Sequence, residues 1–167
     1  MKQAIICDLD GTLCNMTERL ALVTNPDKKK RDWGAFYAGL VNDKPNMWCH
    51  DLISTYADKG IHIIYVTGRP DTHQSQTMDW LRRNVCPING LYMRPAKDNR
   101  KDFIVKQEIY ENYIKPKYEV LFCLEDRTHI AQMWRSLGLV CLQCSNDDVS
   151  LDKFFDGIHG PESAPTA

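Results

Sequence analysis

Much is missing from these 167 residues, and each absence excludes a class of protein. No apolar run approaches the ~20 residues that a membrane-spanning helix needs, and no basic segment leads into an apolar stretch at the start. No membrane partner or secretory leader is therefore expected, and a cytoplasmic setting is. Charge of one sign is not in excess: 21 Lys and Arg face 22 Asp and Glu, for a formal net charge of −1, which argues against a general polyanion binder. The seven cysteines (Cys7, Cys14, Cys49, Cys86, Cys123, Cys141, Cys144) are odd in number and scattered through apolar segments. They read as reduced thiols packed in a core, with no disulfide framework. Cys141 and Cys144 have C-x-x-C spacing but lack the second pair that a zinc site requires. His50, His62, His73, His129 and His159 share no ligand spacing. Internal repeats are absent, as is any linker long enough to split the chain.

What is present is an alternation of short apolar runs with longer segments of helical period. Strands are expected at residues 3–7, 61–66, 91–93, 120–124 and 140–143, each rich in Ile, Val, Leu, Phe or Tyr. Helices are expected from Pro45 to Gly60, with Trp48, Leu52, Ile53 and Tyr56 inward, and over 72–84, with Met78, Leu81 and Val85 inward. A third starts at Asp102, turns Val105, Ile109 and Tyr113 inward, and ends at Lys115-Pro116. A fourth spans 128–137, with Ile130, Met133, Trp134 and Leu137 buried and Gly138 as its stop. The fold class is therefore α/β, a Rossmann-like, mostly parallel sheet with helices on both faces. Residues 14–44 break the alternation and read as a small lid inserted after the first strand. The domain is expected over 1–158, with the Pro- and Ser-rich residues 159–167 as a disordered tail.

Ligands of an open parallel sheet bind outside the carboxyl ends of its strands. Four polar groups fall at such ends or beside them: Asp8 and Asp10, Thr67-Gly68-Arg69, Lys106, and Glu125-Asp126. An aspartate ionised at neutral pH can attack phosphorus directly. At ~4 Å from a phosphate dianion it would cost about 8 kcal/mol at an effective dielectric of 20, so cations must be present. Glu125 and Asp126 worsen that repulsion unless they hold a divalent metal, and hard oxygen donors select magnesium. Thr67 then donates a hydroxyl to a phosphoryl oxygen, Gly68 lets backbone approach it, and Lys106 places a point charge on it. Asp10 is placed to pass a proton to the leaving oxygen and to take one from water.

D-x-D-G-T-L at 8–13, Thr67-Gly68-Arg69, Lys106 and the acidic pair at 125 and 126 resemble, in order and spacing, the four motifs of haloacid-dehalogenase superfamily phosphatases. The stretches "RKDFIVKQEIY" at 100–110 and "EDRTHIAQMWRSLGLVCLQ" at 125–143 are further similar to the 3'-phosphatase domain of tailed-phage polynucleotide kinase/phosphatases. The resemblance implies that Asp8 is the nucleophile and Asp10 the acid/base. It implies Mg2+ held by the Asp8 side chain, the Asp10 carbonyl and Asp126, with Glu125 assisting where the family has Asp. Arg19, Arg69, Arg94, Arg100 and Asp102 match positions near substrate, and a phage-encoded chain would work in the host cytoplasm. No G-x-x-x-x-G-K-[ST] loop occurs, so 5'-kinase activity is not expected.

The expected substrate is a 3'-phosphorylated DNA or RNA end. Free mononucleotides are the alternative, and a phosphate-end binding module without catalysis is a more distant one. The run Lys28 to Arg31 suits a solvated loop or a nucleic-acid contact, and the cations from Arg94 to Lys101 suit a phosphate-gathering rim. Trp33, Phe36 and Tyr37 suit either a lid's own core or a base-stacking platform.

Overall fold

The computed structural model describes residues 1–145. In chain order, β1 (Lys2–Cys7) leads into an insertion made of β2 (Cys14–Asn15), α1 (Thr17–Leu20), α2 (Trp33–Ala38) and β3 (Lys44–Pro45). Then follow α3 (Met47–Asp58), β4 (His62–Pro70), α4 (Gln74–Arg83), β5 (Gly90–Arg94), α5 (Asp102–Ile109), β6 (Tyr118–Glu125), α6 (Thr128–Ser136) and β7 (Cys141–Gln143). The expected tail at 159–167 and the end of the expected domain at 158 lie outside the described residues.

The five long-range strands form one parallel sheet in the order β5-β4-β1-β6-β7. β1 takes the centre because both of its faces are apolar, and the pleat sends alternate side chains to opposite layers. Ala4 and Ile6 join Ile64 and Val66 under α5 and α6, packing with Val105, Ile109, Ile130 and Trp134. Ile5 and Cys7 join Ile63 and Tyr65 under α3 and α4, packing with Ile53, Trp80 and Leu81. Helices on both faces are thus a consequence of strands that have no polar side. The antiparallel pairing of β2 with β3 brings the two ends of the insertion together at the sheet. No described helix is long and apolar enough to cross a membrane.

The elements fall where the periodicity places them, but four faces differ. Pro45 lies in β3, and α3 begins two residues later with Cys49 and Ile53 as its buried stripe, which leaves Trp48 48% exposed. α4 buries Thr77, Trp80 and Leu81 and ends at Arg83. Val85 follows at φ 55 in the turn beyond and is 81% exposed, so its apolar spacing is coincidental. After α5 the chain widens into a π-turn, Tyr110–Ile114, whose longer repeat rotates Tyr110 and Ile114 inward and Tyr113 outward. Val140 is 60% exposed and lies outside β7. All seven cysteines are free thiols, six of them buried.

Candidate active site

Register carries the chemistry to one edge of the sheet. Cys7 pairs with Tyr65 on one side and Leu124 on the other, so Asp8, Thr67 and Glu125-Asp126 all emerge just past the same carboxyl ends. The backbone N–H of Asp8 still donates to Leu124 O at 3.0 Å, which anchors the first carboxylate to the sheet. Lys106, one turn into α5, reaches the same point: its ammonium donates at 2.8 Å to both Asp8 Oδ1 and Glu125 Oε2. Thr12 Oγ1 donates to the other Asp8 oxygen at 3.3 Å.

Asp8, Glu125 and Asp126 place carboxylate oxygens within 4.8 Å of one another. Three carboxylates against one ammonium leave a local excess of negative charge. Burial, and then the Glu125 charge, lift the Asp8 carboxyl to about 7 despite Lys106. Asp126 is raised for the same reasons, burial first and then Glu125 and Asp8. Burial opposes the Lys106 charge, yet Asp8 and Glu125 hold its ammonium above the ordinary range. Asp126 Oδ1 is buried without a hydrogen-bond partner among the described residues, so that oxygen could accept from a cation. Gly11, at φ +85, makes room for Asp126: a Cβ there would lie 2.1 Å from Oδ2.

Asp10 faces different partners. Arg69 grips it with Nε to Oδ2 at 2.8 Å and Nη2 to Oδ1 at 2.7 Å, and Arg19 Nη2 donates to Oδ1 as well. Burial alone would raise this carboxyl, but the two guanidiniums drive it well below the carboxylate range. Arg19 is itself clamped by Asp43, which accepts from Nε at 2.9 Å and from Nη2 at 2.6 Å, and its guanidinium lies 4.2 Å from the Phe36 ring centroid. Asp43 is fixed in turn, since its carbonyl accepts the Trp80 indole N–H at 2.8 Å.

A third cluster borders the second. Asp102, in the first turn of α5, accepts from Arg94 Nη2 and from Arg127 Nη1, both at 2.8 Å. A Cβ on Gly68 would lie 2.6 Å from Asp102 Oδ1, so glycine permits β4 to end against that carboxylate. Thr67 is 1% exposed and its hydroxyl accepts the Arg69 N–H at 3.2 Å.

One cleft is lined by Asp8, Asp10, Thr67, Gly68, Arg69, Asp102 and Lys106, all predicted from sequence. Arg19 backs it through Asp10, and Glu125 and Asp126 through Asp8 and Lys106. Beyond these three, two more predicted residues do not line it. Arg94 is 1% exposed, and beyond Asp102 it donates to the carbonyls of Asp98 and Arg100 and to Gly68 O. Arg100 lies outward on the loop, paired with Asp98 at 2.7 Å and Glu108 at 2.6 Å. Their spacing from Lys106 is right; the loop's own carbonyls and carboxylates claim them. Sequence reasoning missed Arg127 and Met16, which line the cleft, and Asp43, which holds Arg19. Arg127 was findable as a cation directly after the acidic strand end. Asp43 carried no signal, because only the closing of the insertion brings it to Arg19.

The family profile described as the polynucleotide kinase PNKP phosphatase domain matches residues 2–149. The chain belongs to this family. It is a phosphatase domain of the haloacid-dehalogenase superfamily, as its motifs imply. It is 29% identical over 142 residues to a protein of Autographa californica nuclear polyhedrosis virus named as a candidate bifunctional polynucleotide kinase/RNA ligase. That match covers 82% of this chain and 18% of the viral protein. A chain of the Pnkp1/Rnl/Hen1 RNA repair complex superposes with a TM-score of 0.76 at 30% identity, over 89% of this chain and 44% of that one. The chain thus spans less than half the length of either relative. A class C acid phosphatase from Bacillus anthracis shares the fold, with a TM-score of 0.61 at 14% identity, 92% of this chain and 77% of the other being covered. A shorter match, 36% identical over 63 residues, reaches a candidate nucleotidase of Oceanobacillus iheyensis and covers 37% of this chain and 34% of that protein.

Proposed function

We propose that this domain is a magnesium-dependent phosphomonoesterase that works through a phospho-aspartate and removes 3'-phosphate from DNA or RNA ends. The observation that carries the reading is the meeting of Asp8, Lys106 and Asp126 at one edge of the sheet, in a member of the polynucleotide kinase phosphatase family. The donor set fits a hard divalent cation, being all oxygen, within 4.8 Å, and including the unpartnered Asp126 Oδ1. Asp8 and Asp126 side chains and the Asp10 carbonyl would hold Mg2+, with Glu125 assisting. Bound there, the ion would neutralise charge between the carboxylates and an arriving phosphate.

The protein groups divide the remaining work. Lys106, the Thr67 hydroxyl and the Gly68 backbone hold the phosphoryl oxygens. An Asp8 oxygen attacks phosphorus as the bond from phosphorus to the sugar oxygen breaks, and Asp10 gives its proton to that oxygen. Water then attacks the aspartyl phosphate, Asp10 takes the water's proton, and Asp8 and inorganic phosphate are freed. Arg19 and Arg69 keep Asp10 ionised while the cleft lacks substrate. A bound phosphate draws on Arg69, which lines the cleft, and so lets Asp10 carry the proton it must donate. The insertion over residues 14–44 roofs this cleft as a lid.

A 3'-phosphorylated oligonucleotide should lose phosphate with magnesium and not with EDTA, and Asp8→Asn should lower the rate by about 10³-fold or more. Faster turnover of 3'- or 5'-mononucleotides would replace this substrate with the nucleotidase reading, which the shorter relative favours. Unchanged release by Asp8→Asn would end the covalent mechanism.

A further inference from the structure

Tyr37 is the one polar residue that the insertion adds to the wall of the cleft. Three rings fix its position. Phe36 meets it edge-on at 5.3 Å and Trp33 lies 6.3 Å away, both within the insertion. His73, just beyond β4, stacks on its other side at 5.2 Å and 26°. A side chain so clamped has little rotamer freedom left to lose, so any hydrogen bond it makes is made from a preorganised position.

Tyr37 is half-buried, and its hydroxyl makes no hydrogen bond among the described residues, so it is open to a partner in the cleft. Tyr37 shares the wall of the cleft with Asp10 and Asp102; burial first, and then the charges of those carboxylates, push the phenol well above its usual range, so the hydroxyl stays a donor.

Attack by Asp8 is in line, so the leaving oxygen departs on the side served by Asp10. We propose that Tyr37 is a substrate-positioning residue whose hydroxyl donates to a sugar oxygen of the departing nucleoside, so that the enzyme prefers nucleoside phosphates to phosphate esters without a sugar. The proposal rests on the phosphomonoesterase reading above and adds a determinant for the leaving group. It needs no contribution from Tyr37 to the phosphoryl transfer itself.

The test is Tyr37→Phe, which keeps the ring stack and deletes only the donor. kcat/KM is measured on one preparation for a 3'-phosphorylated oligonucleotide, a 3'-mononucleotide and p-nitrophenyl phosphate. The selectivity ratio of each nucleoside substrate over p-nitrophenyl phosphate should fall about 10-fold, the range of one neutral hydrogen bond. Because both rates come from the same preparation, a loss of folded protein cancels in the ratio. An unchanged ratio overturns the proposal, whether both rates fall together or neither moves. If the wild type leaves the oligonucleotide untouched but hydrolyses the mononucleotide, the 3'-end reading fails while the mononucleotide ratio still decides the role of Tyr37.

Discussion

Two aspartates one residue apart on the same strand end have opposite proton affinities. Asp8 lies among carboxylates and is lifted to about 7, whereas Asp10 lies between Arg19 and Arg69 and is driven far down. Their separation on the chain gives no hint of this, because the difference comes from partners 9 to 117 positions away. Gly11 tests the metal-holding role proposed for this side of the pair. Gly11→Ala would press a Cβ on Asp126 Oδ2, now 2.1 Å from that position, and force the carboxylate aside. The magnesium concentration for half-maximal phosphate release should rise by about 10- to 100-fold, the usual cost of disturbing a metal site's support. Asp102 tests the structural side. Burial opposes its charge, but Lys106, Arg127 and Arg94 outweigh that and hold its carboxyl at about 2. A carboxyl depressed in the folded state contributes stability above its ordinary value of 3.8, and that contribution is lost as pH falls toward 2. The size is roughly 2 to 3 kcal/mol. Urea unfolding of wild type and Asp102→Asn should therefore differ most at pH 5 and converge between pH 4 and 2.

At the scale of elements, strands were legible and helix faces less so. β1, β4 and β6 are apolar on both sides, which only a central parallel strand requires, and their ends had to carry whatever polar residues followed. Ile6 reports on this layer, being 1% exposed between β4, β6 and the helices α5 and α6. Ile6→Ala should cost about 2 to 5 kcal/mol in urea or thermal unfolding, a transfer loss plus the cavity left behind. Helix phases escaped where a local event reset them. The π-turn after α5 exchanged Tyr113 for Tyr110 and Ile114, and the left-handed turn at Val85 ended α4 before that residue could face inward. Trp80 packs in the core layer under α3 and α4, and the partner that satisfies its indole N–H, the Asp43 carbonyl, comes from the insertion.

For the whole molecule, near-neutral charge limits how a polyanion is held. The rim from Arg94 to Lys101 contains four cations, but Arg94 and Arg100 are consumed by internal partners, leaving Lys97 and Lys101 exposed. Single-strand binding loses about 0.7 in log-log salt slope per neutralised phosphate, so two such contacts give a slope near −1.4. A fluorescence titration of a 3'-phosphorylated oligonucleotide between low and moderate salt measures it. A slope steeper than about −3 would bring in further cations, with the exposed Lys28, Lys29 and Lys30 the first to replace.

By itself the sequence determined the α/β layering, the order of the strand-end motifs and the family, because periodicity and strand-end residues are local properties of the chain. Tertiary structure alone decided which cations reach the cleft and which carboxyl each one governs. Arg127 and Tyr37 enter the wall, Arg94 and Arg100 turn away from it, and Asp43 clamps Arg19. Those outcomes depend on distances set when the insertion closes on the sheet, and Coulomb and hydrogen-bond energies answer to distance in space, not along the chain.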